Sequence, residues 1–114
     1  MASETKIILQ GIPASGGKIQ GKVSIVKSIS KLADIERGNI LVAPYTNPLL
    51  TMAIFKASAI ITEQGGITSH AATIAREVGI PCIVRAENAT EILKEGMEVL
   101  VDGDKGVIYG CSSR

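Results

Sequence analysis

Three short apolar runs recur along the middle of the chain, at residues 39–43, 59–62 and 81–86, and helix-start signals lie between them. Runs of this length without polar alternation read as strands covered on both faces. Strands of that kind, alternating with helices, are the pattern of βαβ units. The composition agrees, because 17 Ile and 8 Val stand against one Phe, two Tyr and no Trp. β-Branched side chains pack well on a pleated surface.

The helix signals are specific. Asn47-Pro48 offers an N-cap oxygen followed by a first-turn proline, for a helix running to about Ala57. Thr68 or Ser69 can cap a second helix, running to about Val78. There Gly79, Ile80 and Pro81 read as a Schellman-type ending. Asn88-Ala-Thr-Glu91 resembles a capping box for a third short helix ending at Gly96. Outside this middle region, Lys6–Gln10 and Gly21–Lys27 read as strands, Gly11–Gly17 as a loop, and Ser30–Gly38 as room for one helical turn. Glu98–Val101 and Val107–Tyr109 form a hairpin around Asp102–Gly106. The expected class is α/β: one β/β/α domain over residues 1–114, with mixed strands and about three short helices.

Charge excludes several functions. With 12 Lys and Arg against 11 Asp and Glu, the net charge is +1. Nucleic acid and anionic membranes both demand concentrated positive charge, so neither is the expected partner. Few aromatics also argue against base stacking. No apolar run approaches the roughly 20 residues of a membrane helix. The Met1–Lys6 start lacks the basic-then-apolar pattern of a secretory signal, so a cytoplasmic location is expected. Cys82 and Cys111 lack metal-ligand spacing, and with one histidine no metal site is expected. Gly11–Lys18 superficially resembles a phosphate-binding loop. Its glycine spacing is wrong, however, and Ile19 stands where a Ser or Thr must bind magnesium.

The chemistry concentrates in Thr62-Glu-Gln-Gly-Gly-Ile-Thr-Ser-His70. His70 falls on the first turn of a helix, after a strand and a Gly65-Gly66 loop, with the hydroxyls of Thr68 and Ser69 just before it. A helix start favours negative charge and offers N–H donors. An imidazole, two hydroxyls and such amides together suit a phosphoryl group. On the helical wheel Ala71, Ile74, Ala75 and Val78 form the apolar face, while His70, Thr73 and Glu77 face away from it. The local pattern also fits a plainer reading, in which Thr68 and Ser69 only cap and Gly65-Gly66 only turns the chain. Glu63 and Gln64 either orient His70 or are surface. Arg76 reads as a solvated or packing residue, and Cys82 as a small core residue.

Residues 62–81, Thr-Glu-Gln-Gly-Gly-Ile-Thr-Ser-His-Ala-Ala-Thr-Ile-Ala-Arg-Glu-Val-Gly-Ile-Pro, resemble the signature of the phosphohistidine domain of phosphoenolpyruvate-utilising enzymes. Phosphoenolpyruvate synthase, pyruvate phosphate dikinase and enzyme I of the sugar phosphotransferase system belong to that family. Gly11-Ile-Pro-Ala-Ser-Gly16, Gly38-Asn-Ile-Leu-Val42, Thr46-Asn-Pro48 and Val101-Asp-Gly-Asp-Lys-Gly-Val-Ile-Tyr109 resemble its opening, middle and closing hairpin, so the likeness covers nearly the whole chain. The resemblance implies a swivelling β/β/α domain whose histidine, here His70, takes a phosphoryl group at one active site and delivers it at another. Thr68, Ser69, Gly65 and Gly66 then flank the phosphate. The nucleotide-binding and phosphoenolpyruvate-binding domains of the full enzymes have no counterpart in these residues, a departure from the family, so the expectation is a free-standing phosphotransferase component with donor and acceptor partners that bind nucleotide and phosphoenolpyruvate or pyruvate. Magnesium is expected on the partner, and no cofactor on this chain. Arg85 departs from the family, standing where glycine usually follows Ile-Val. The alternative is a non-catalytic regulatory or partner-binding module that keeps the fold.

Overall fold

The computed structural model describes residues 5–26, 35–45, 51–66 and 70–111. Eight strands are present: β1 (Thr5–Gln10), β2 (Ile12–Ser15), β3 (Lys18–Ile25), β4 (Ile40–Ala43), β5 (Ala59–Thr62), β6 (Cys82–Val84), β7 (Glu98–Asp102) and β8 (Val107–Cys111). Three helices join them among the described residues: α1 (Thr51–Lys56), α2 (His70–Val78) and α3 (Ala89–Ile92). The sheet order is β1-β8-β7-β3-β4-β5-β6-β2.

β3 turns one half of the sheet into the other. Its first part, Lys18–Lys22, pairs antiparallel with β7, whereas Val23–Ile25 run parallel to β4. From there β4, β5 and β6 continue in parallel. Successive side chains on these strands point to opposite faces. Ile40, Val42, Ala59, Ile61 and Ile83 pack with Val99, Val101 and Ile108 of the antiparallel layer. Leu41, Ala43, Ile60, Cys82 and Val84 pack with Ile54, Ala71, Ala72 and Ala75 of the helices. Two cores thus lie on the two faces of one short parallel sheet, which is why its strands carry no polar alternation. Each fully buried Ile, Leu or Val contributes about 1.5–3 kcal/mol. The layers are β/β/α, as expected.

Several expectations are corrected. Ile12–Ser15, expected within a loop, form edge strand β2, antiparallel to β6. Glycines and a proline disguise it, but an edge strand tolerates Pro13 because it needs no donor toward solvent. The following glycines are tied to the β7–β8 turn: Gly17 N–H donates to Asp104 Oδ1 (3.2 Å), and Gly103 N–H to Gly17 O (2.7 Å). Lys18, the apparent phosphate-loop lysine, lies 3.9 Å from buried Asp102. Helix α3 is shorter than expected and stops at Leu93, whose backbone is extended. The Asn47-Pro48 helix start and residues 30–34 lie outside the described residues; of the rest of the 30–38 segment, residues 37–38 make a turn. The end of α2 is as expected: Gly79 has φ +81°, and Ile80 N–H donates to Ala75 O (3.0 Å), the Schellman bond. No described helix is long and apolar enough to cross a membrane.

Candidate functional site

Parallel strands present their carboxyl ends on one edge, and in open α/β sheets that edge is where ligands bind. Here the edge carries the β5–α2 loop and the β6–α3 turn. The loop leaves β5 from a tied root. Thr62 Oγ1 donates to Gln64 O (2.7 Å), Glu63 N–H to Ala43 O (3.1 Å), and Gln64 N–H to Pro44 O (3.0 Å). On the other side Ala86 N–H donates to Thr62 O (2.9 Å). Beyond this root Gly65 has φ +112°, a conformation side-chain-bearing residues avoid. Gly66 does not have a left-handed φ, and nothing described lies within 4 Å of where its Cβ would stand.

His70 is the first residue of α2 and is exposed, as are Thr73 and Glu77. Thr68 and Ser69 lie outside the described residues. The buried stripe of α2 is Ala71, Ala72 and Ala75. Val78, expected on that stripe, is 42% exposed, because the small alanines bring the helix close to the sheet and leave Val78 at its margin. Arg76 is exposed and also packs back on the sheet, its Nη1 donating to Ala14 O on β2 (2.8 Å). Burial pushes the Cys82 thiol up to about 12, against the opposing pull of the Arg76 cation. That thiol is no nucleophile at neutral pH.

The β6–α3 turn contains two non-glycine residues in the left-handed region, Arg85 (φ +56°) and Asn88 (φ +65°). Glycine would adopt that φ at position 85 without strain, whereas Arg85 does so at a cost. The same turn overturns the capping box expected at Asn88. A normal N-cap is extended, and left-handed Asn88 makes no side-chain capping bond. The cap comes instead from Glu63, whose Oε2 accepts from Thr90 N–H (2.8 Å) and Thr90 Oγ1 (2.7 Å). Glu63, Gln64, Gly65, Arg85, Glu87 and Asn88 line an open pocket of about 540 Å³ on this edge. The Glu63–Thr90 link is not written in any local pattern, because its partners are 27 residues apart. Among the described residues no three His, Cys, Asp or Glu side chains converge to hold a metal ion.

This β/β/α layering, with a histidine heading the helix that follows a Gly-Gly loop, is the architecture of a mobile domain of phosphoenolpyruvate-utilising enzymes. The chain belongs to that family: the model described as "PEP-utilising enzyme, mobile domain" matches residues 35–106. The chain is 45% identical over 107 residues to a probable phosphoenolpyruvate synthase of Archaeoglobus fulgidus, covering 94% of this chain and 14% of that protein. Among solved structures, Enzyme I superposes with TM-score 0.59 and 34% identity, over 68% of this chain and 32% of that one. Aconitase X of Thermococcus kodakaraensis superposes with TM-score 0.66 and 25% identity, over 92% of this chain and 98% of that one. The chain spans 13% to 15% of the length of the phosphoenolpyruvate synthases it matches.

Proposed function

We propose that this chain is a free-standing phosphoryl carrier, a component of a cytoplasmic phosphotransferase of the phosphoenolpyruvate synthase type, phosphorylated on His70. The observation that carries the reading is the exposed imidazole at the head of α2, on the carboxyl edge of the parallel sheet and beyond Gly65-Gly66. Nε2 attacks the donor phosphorus. A P–N bond forms as the donor's P–O bond breaks, the leaving oxygen keeps the electron pair, and the ring proton passes to solvent. Transfer to the acceptor reverses these roles. The covalent intermediate divides one difficult transfer into two easier ones.

The Gly65 and Gly66 amides and the Thr68 and Ser69 hydroxyls hold the phosphoryl oxygens. The partners bind nucleotide and phosphoenolpyruvate or pyruvate, and supply magnesium and the charge clamps that phosphoryl transfer needs. The second reading is a non-catalytic module. Its support is that this architecture also occurs, over nearly the whole chain, in aconitase X, a protein not named for phosphoryl transfer.

Intact-protein mass after incubation with phosphoenolpyruvate or ATP, in extract of the source organism, separates the two. The carrier gains one phosphoryl group, labile in acid and stable in alkali, and His70→Ala does not. No gain, in an extract that phosphorylates a known family enzyme, defeats the carrier reading. So does a gain that survives His70→Ala.

A further inference from the structure

We infer that Glu63 is a positioning residue for phosphoryl transfer: by capping α3 through Thr90, it fixes the root from which the Gly65-Gly66 loop reaches His70. The inference rests on the reading of His70 as phosphoacceptor.

The contact is built from distant parts. Two donors of α3, the N–H and the hydroxyl of Thr90, converge on one oxygen of Glu63. A four-residue helix preceded by Asn88 and carrying Glu91 in its first turn has candidate caps of its own, yet it is capped from the neighbouring loop. Asn88 is unsuited because the turn holds it in the left-handed region, as it does Arg85. Such conformations persist where surrounding contacts over-determine them, and they cluster at functional sites. The contacts that hold this turn are also those that hold the loop: Ala86 N–H on Thr62 O, and Thr90 on Glu63. With Glu63 N–H and Gln64 N–H bonded to the end of β4, the root is clamped from both sides. The loop amides and the imidazole must converge on one phosphoryl group inside a docked partner. Loosening the root misaligns them there without changing the ring's own exposure.

Two donors separate positioning from fold. In extract, the partner enzyme presents the phosphoryl group. Phosphoramidate reacts with any exposed imidazole, its P–N bond breaking as ammonia leaves. For Glu63→Gln and Thr90→Val, the extract-driven rate should fall about tenfold while the phosphoramidate rate changes by less than about twofold. The double variant should be no slower than the worse single one, since both remove one contact. An equal fall with both donors, or no fall with either, overturns the inference. An additive double variant does the same.

A donor-free readout keeps the two proposals separable. The Gly65 and Gly66 amide signals and the His70 ring signals should shift in 1H–15N spectra of Glu63→Gln. If they stay in place while the Thr90 amide loses protection from exchange, the inference fails. If they shift but the wild type takes no phosphoryl group in extract, the coupling of Glu63 to the loop holds, while the carrier reading falls and takes with it the role in phosphoryl transfer.

Discussion

Adding one methyl group at Gly66 separates what the loop needs in order to fold from what it needs in order to work. The Cβ of Gly66→Ala would stand in open space, with nothing described within 4 Å, and the backbone is not left-handed there. The folded state therefore loses nothing. The unfolded chain loses freedom, so the variant should gain about 0.4–1 kcal/mol. Gly65→Ala is the matched control, because its φ of +112° is one alanine resists. The cost there is about 1–2 kcal/mol. For a domain near this size each kcal/mol moves Tm by about 4–8 °C, so Gly65→Ala should melt roughly 4–16 °C lower than the parent. Gly66→Ala should melt at or slightly above it.

Calorimetry gives the melting points, and the extract-driven rate of His70 phosphorylation gives the function. The Gly66 amide survives the substitution, so what is tested is close approach. If a phosphoryl group or a partner surface must come against this backbone, Gly66→Ala transfers at least about tenfold more slowly despite its unimpaired stability, since roughly 1.4 kcal/mol of lost transition-state binding suffices. Wild-type transfer by Gly66→Ala refutes the close-approach argument. A Gly66→Ala that melts as low as Gly65→Ala refutes the steric one.

Two further outcomes follow from the geometry. Arg85→Gly relieves a left-handed side chain worth about 1–2 kcal/mol but returns about 0.4–1 kcal/mol of freedom to the unfolded chain, so urea unfolding should show a net gain of about 0–1.6 kcal/mol; a loss above about 1 kcal/mol would mean that the Arg85 side chain makes a contact worth more than its strain. The thiol of Cys82 is raised from 9.0 to about 12 by burial, so between those values the unfolded chain releases a proton that the folded chain keeps. Stability from this group is full below pH 9 and falls by up to about 1.4 kcal/mol per pH unit as pH rises toward 12. Cys82→Ala should flatten that part of a urea-midpoint profile, and an unchanged slope would refute the assignment.

What the sequence made legible follows from burial. β4, β5 and β6 were readable because a strand covered on both faces shows no polar alternation, and that signal is local. The end of α2 was readable because Gly79 and Ile80 are adjacent. β2 was hidden because Pro13 and its neighbouring glycines look like a loop, and only pairing with β6 makes them a strand. The inward face of α2 was partly misjudged because hydropathy weighs Val78 above Ala72, whereas close approach to the sheet favours the smaller side chain. The cap of α3 was misassigned because a capping box is a local pattern, while Asn88's backbone is set by a turn and its substitute comes from 27 residues away. His70 and Gly65-Gly66 could be named from sequence. The clamp beneath them and the Arg85-lined pocket beside them could not.

That division has a physical reason. On the proposed carrier reading His70 enters two active sites in turn, and such a group cannot be buried in its own domain, for burial would bar both. Nor can it be loose, for each docking would then have to order it again, at about 1–2 kcal/mol of backbone entropy per residue. The workable compromise is an exposed side chain on a rigid element. Here α2 supplies the rigidity through three alanines against the sheet and through Arg76 on Ala14 O. The root at residues 62–64 fixes the other end of the loop. Beyond that root Gly65 and Gly66 carry no side chain to stand between their amides and a partner surface. The nucleophile's local motif is thus short and readable, because it must be presented whole. The apparatus that presents it is spread over β4, β5, β6, α2 and α3, because rigidity at one loop needs anchors on every element around it.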